Sequence, residues 1–76
     1  MPRITPISPK KLIKIFELAG FRVDRKQGSH IVMTKPGALR SIVIPERAEV
    51  CIDVIKSNMR TAGMTPEEYH ELFKKV

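Results

Sequence analysis

Cysteine is nearly missing from this chain, with Cys51 standing alone in 76 residues. One thiol makes no internal disulfide, and Cys51, His30 and His70 together fall short of the four ligands a structural zinc site takes. No metal is expected. Long apolar runs are missing too, and no signal peptide opens the sequence, so the expected compartment is the reduced cytoplasm, with no membrane as partner. The chain is also short. Seventy-six residues make one domain, and a domain of that size buries roughly 60–65% of the surface its unfolded form exposes, which leaves a small core and no deep cavity for a cofactor.

Acid is scarce only in one half. Residues 1 to 20 carry four Lys/Arg against one acid, residues 21 to 40 five against one, and residues 41 to 76 five against six. The whole formal excess of +6 therefore lies in the first forty residues. A polyanion is drawn to that half by its field, and nucleic acid is the obvious one. Lys10, Lys11 and Lys14 have a plainer reading beside this one, as the solvated outer face of a helix.

The pattern of apolar residues gives an element order. Ser8-Pro9 reads as a helix start, with Ser as N-cap and Pro at the first helical position, where its missing N–H costs nothing. Leu12, Phe16 and Ala19, flanked by Ile13 and Ile15, form one stripe, and Gly20 closes the helix. Residues 1–7, with two prolines before Ser8, read as a flexible, extended tail. From Phe21 the period shortens to two. Three antiparallel strands are predicted, carrying Phe21 and Val23, then Ile31 and Met33, then Ile42 and Ile44. Their turns are Gln27-Gly28-Ser29 and Lys35-Pro36-Gly37-Ala38.

Pro45 ends the third strand. A second helix is predicted within about Glu49 to Ala62, closed by Gly63. Thr65-Pro66-Glu67-Glu68 is a capping box opening a last short helix through about Lys74, with Tyr69, Leu72 and Phe73 as its packing face. The methionines and Cys51 read as buried core filler. The resulting α-β-β-β-α-α order is an α+β fold, a three-stranded antiparallel sheet with helices on one face. Its open face suits an extended polymer better than a metabolite.

The stretch Arg25-Lys26-Gln27-Gly28-Ser29-His30 joins a tight turn, cations and one imidazole within six residues. If Ile31 and Met33 face the helices, period two sends His30 to the open face, together with Arg22, Asp24, Val32, Ser41 and Val43. Imidazole, with an ordinary pKa of about 6.5, is the side chain best suited to take and return a proton near neutrality. A lone histidine at a strand start is also commonly a plain surface residue. Cleavage of RNA without a metal needs a base for the 2′-hydroxyl, a cation for the phosphate and an acid for the departing 5′-oxygen. His30 supplies the imidazole, Arg25 and Lys26 are the nearest cations, and Ser29 holds the turn or meets a phosphate. Arg22, Lys35 and Arg40 complete the expected RNA-binding set. His70, among Glu67, Glu68 and Glu71, reads as a surface residue paired with a carboxylate.

In this arrangement the chain resembles the HicA (YcfA-like) toxins over roughly residues 8 to 73. The resemblance rests on the first helix, Gly20-Phe21 opening a strand, Lys26-x-Gly28-Ser29-His30, a third strand ending at Pro45, and Ala62-Gly63 before Thr65-Pro66-Glu67-Glu68. It implies a double-stranded-RNA-binding-domain-like fold and an endoribonuclease toxin, an mRNA interferase. It further implies a HicB-type antitoxin as partner, His30 as the catalytic residue, and Gly28 and Ser29 as its turn. Relatives often carry a second histidine directly after Gly-Ser-His, where this chain has Ile31. They often carry another just past the proline, where it has Glu46-Arg47. Catalysis here would rest on His30 alone.

Two other functions fit the same element order. A non-catalytic double-stranded-RNA-binding module usually places lysines at the start of its final helix, a region that here reads Glu46-Arg47-Ala48-Glu49. A small protein-interaction subunit would use Val32 and Val43 as its surface, which leaves the basic half unexplained.

Overall fold

A computed structural model describes residues 4–76. Its elements follow the order α1 (Pro9–Leu18), β1 (Arg22–Gln27), β2 (His30–Thr34), β3 (Ile42–Pro45), α2 (Ile52–Ala62) and α3 (Pro66–Phe73). The three strands form one antiparallel sheet in the order β1-β2-β3. This is the expected α+β architecture, consistent with a double-stranded-RNA-binding-domain-like fold.

Local chemistry sets the ends of the helices. The Ser8 hydroxyl accepts from the Lys11 N–H at 3.4 Å with Pro9 behind it, and Ala19 and Gly20 close α1. In α3 the capping box is complete, since the Glu68 N–H donates to the Thr65 hydroxyl at 3.2 Å and the Thr65 N–H to the Glu68 carboxylate at 3.4 Å. The start of α2 has a different cause. Val50 extends instead of coiling, because its N–H donates to the Ile7 carbonyl at 2.7 Å, and the helix begins only at Ile52.

That bridge corrects the reading of residues 1–7 as a free tail. Residues 1–3 lie outside the described residues, but Ile7 is buried against the core. The neighbouring prolines hid this anchor, although the bridge draws only on a carbonyl and needs no donor from the tail. Cys51 is a second correction. It is exposed at the N-cap of α2, off the stripe of Ile55 and Met59 that faces inward.

One apolar cluster lies between the helices and the sheet. Leu12, Ile15 and Phe16 of α1, Met33, Ile42 and Ile44 of the sheet, Ile55 and Met59 of α2, and Tyr69 of α3 are all buried in it. Phe16 and Phe21 meet edge-on at 5.7 Å. Met33, Met59 and Met64 are core residues, as expected.

The sheet departs from strict alternation at one place. Val23 pairs with Met33 and Arg25 with Val32, so Asp24 is an extra residue without a cross-strand partner. This bulge shifts the face of everything after it on β1. Residues directly opposite one another share a face. Lys26, opposite Ile31, therefore lies on the helix side, while Arg25 and Gln27 join His30 on the open side. Alternation alone had put Asp24 there. Two further members of the expected open face are not exposed strand positions on it, although Val32 keeps its side, opposite Arg25 and Val43. Val32 is only 6% exposed, because it sits on the central strand between Arg25 and Val43, and Ser41 lies in the loop before β3.

Candidate functional site

The β1–β2 connection is two residues long, Gly28-Ser29, and Gln27 pairs with His30 across it. Gly28 has φ +58° and no other residue of the turn has positive φ, the sign pattern of a II′ hairpin with glycine first. A side chain is strained at that φ, so the glycine sets the direction in which His30 leaves the turn.

His30 is the first residue of β2 and therefore has a neighbour on each side. Gln27 lies opposite it on β1 and Pro45 on β3. The turn is tied down from below as well. The Glu46 N–H donates to the Ser29 carbonyl at 2.6 Å, and the Glu46 carboxylate holds the Lys26 ammonium at 2.7 Å on the helix side. His30 is exposed, and among the described residues no carboxylate pairs with its ring. A rigid, solvent-facing imidazole between an amide and a proline can exchange protons with a group laid across the sheet. Among the described residues it has no acid partner to orient it.

The expected cations divide by position. Arg25 shares the open face with His30 and is held by Asp24 at 2.7 Å, both side chains being largely exposed. Such an exposed pair is worth little and yields readily to a phosphate. Arg22 is on the same face further along, opposite Thr34. Lys26 is at the same end of the sheet but behind it. Lys35 and Arg40 are not brought near His30. They lie beyond the far end of β2, which is itself four residue steps or about 13 Å from His30, and the Lys35 ammonium sits over the Phe21 ring at 5.7 Å.

His70 is also remote, standing edge-on to Tyr69 at 5.6 Å on α3, and among the described residues it makes no ion pair of the kind expected. Among the described residues no three His, Cys, Asp or Glu side chains gather into a ligand set. Sequence reasoning missed Pro45 and Glu46 as neighbours of the site. Setting Ile31 opposite Ile44 would have found them, since that register places Pro45 beside His30.

A family model described as HicA toxin of bacterial toxin-antitoxin matches residues 9–64. The chain belongs to the HicA toxin family. The matched stretch runs from α1 through α2 and contains the whole Gly28-Ser29-His30 hairpin. A comparison with curated proteins gave no match. As a HicA-family toxin of a toxin–antitoxin system, the chain has an antitoxin as its partner class. No helix among the described residues is long and apolar enough to cross a membrane.

Proposed function

We propose that this HicA-family chain is an endoribonuclease toxin, an mRNA interferase, that uses His30 as its one catalytic imidazole and is neutralised by a HicB-type antitoxin. The observation that carries the reading is the exposed His30, fixed by a two-residue turn on an open sheet face that also bears Arg25 and Arg22.

The chemistry is transfer within the substrate. The His30 imidazole takes the proton of a 2′-hydroxyl, the 2′-oxygen bonds to the adjacent phosphorus, and the bond from phosphorus to the 5′-oxygen breaks. The 5′-oxygen receives a proton from the imidazolium so formed or from water, and the other fragment ends in a 2′,3′-cyclic phosphate. Arg25, released from Asp24, balances charge on the phosphate oxygens. Dependence on the 2′-hydroxyl restricts the substrate to RNA. A positioned proton-transfer group of this kind contributes about 10²–10⁴-fold.

An antitoxin that silences such a site must cover it. An acidic partner domain is steered to the same positive face as RNA, and Val43, 41% exposed beside the central strand, offers it apolar contact. Antitoxin and RNA then compete for one surface.

The test is cleavage of a purified transcript by His30→Ala beside thermal unfolding. Cleavage should be lost while the unfolding transition stays put, because an exposed strand-end side chain adds little to packing. A folded variant that still cleaves would remove His30 from the mechanism. A wild-type chain that binds RNA tightly without cutting it would favour the binding-module reading.

A further inference from the structure

A second basic surface lies around the corner from His30. The start of α1 and the helix side of the hairpin enclose an open groove of about 460 Å³, bordered by Lys10, Lys26, Arg47 and Glu46 and floored by Ile13 and Ile31. Three cations face one acid there. Both isoleucines are half-buried in the described fold, so each presents part of its side chain to the groove. Cations around an apolar floor suit a nucleotide, with its phosphate on the charges and its base against the aliphatic surface.

The groove adjoins the proposed site. Lys26 pairs with Ile31 one register step from Gln27 and His30, on the opposite face, and only the Gly28-Ser29 turn separates the two faces at that end of the sheet. We infer that this groove is a nucleotide subsite beside the scissile phosphate, entered by an RNA strand that passes from the open face around the β1–β2 hairpin. The inference rests on the RNA-cleaving reading of His30. The Glu46 carboxylate, 2.7 Å from the Lys26 ammonium, stands where the incoming phosphate would sit. Both partners are about half exposed, so the pair exchanges readily for a stronger anion. Glu46 thus has two separable roles. Its backbone N–H braces Ser29, and its carboxylate sets the threshold for RNA entering the groove.

The probe is a fluorescein-labelled 2′-O-methyl oligoribonucleotide, which lacks the nucleophile and stays intact, titrated into the full chain and followed by anisotropy at several salt concentrations. Lys10→Gln and Arg47→Gln should each weaken binding several-fold and lower the salt slope by about one contact. Glu46→Gln, which keeps the backbone brace, should tighten binding several-fold. Ile13→Ala should weaken binding with the salt slope unchanged, and Lys56→Gln on α2 should change nothing. Wild-type affinity in both Lys10→Gln and Arg47→Gln, alongside a loss in Arg25→Gln, would overturn the subsite and leave the RNA reading standing. No binding by the wild-type chain at any salt would overturn both.

Discussion

The two ends of the sheet are built from similar materials and are held very differently. At one end β1 and β2 are joined by Gly28-Ser29, two residues with glycine at φ +58°. At the other, β2 and β3 are joined by residues 35–41, in which Pro36-Gly37 turns with Gly37 at φ +83° and the Ala38 N–H donates to the Lys35 carbonyl at 3.0 Å. Each end carries cations. The short connection is braced by Glu46 and delivers His30 onto a paired strand. The long one carries Leu39, which is 100% exposed. In the proposed function charge draws RNA to the sheet, and the braced end alone among the described residues sets an imidazole on a paired strand, the positioning that would separate attraction from catalysis.

The largest expected break in this comparison comes from the two glycines. Neither has an atom within 4 Å of where a Cβ would stand, so alanine at either position meets backbone strain and no clash. Gly28→Ala and Gly37→Ala should each cost about 1–2 kcal/mol in denaturant unfolding. RNA cleavage should fall by about 10²-fold in the first, where the turn aims His30, and hold in the second. Equal losses of cleavage would show that stability alone, and not the hairpin, governs activity.

A smaller effect separates the arginines. Arg25→Gln should weaken RNA binding several-fold and remove about one phosphate contact from the salt dependence. Arg40→Gln, in the long loop, should leave both nearly unchanged. Filter binding over a salt series reads this directly, and a steeper loss from Arg40 would move the RNA to the other end of the sheet.

The smallest effect lies in the scaffold, away from both ends. Tyr69 is buried on α3 with its hydroxyl unpartnered among the described residues, and burial raises its pKa above the ordinary 10.0. The folded state therefore favours the neutral phenol. That contribution is fully present below 10.0 and is lost as the pH rises through the higher folded value. Tyr69→Phe should stabilise the chain by about 1 kcal/mol at neutral pH, since it removes an unpaired buried hydroxyl. It should also flatten the alkaline fall in stability without touching cleavage. Unfolding midpoints from pH 7 to 11 check the sign.

Much of this was legible from residues whose local rule agrees with their place in the fold. Ser8-Pro9, Gly63 and Thr65 through Glu68 end helices where cap chemistry puts them, and Ile42 and Ile44 face the core as period two requires. His30 reached the open face on the same reasoning. What failed depended on contacts between distant segments. The bulge at Asp24 is set by pairing with β2, not by any turn residue in β1, and it moved Arg25 to the side of His30. The Ile7–Val50 bridge joins segments 43 positions apart and so left no local signal. Val32 is buried because its strand is central, which alternation within one strand does not reveal.

Amide shifts on titrating the isotope-labelled chain with 2′-O-methyl RNA test the placement of the site most directly. The account predicts the largest changes at Arg25, Gln27, His30 and Glu46, around the braced hairpin, with Leu39 and Arg40 little moved. Changes confined to residues 35–41 and α3, with the hairpin silent, would contradict it.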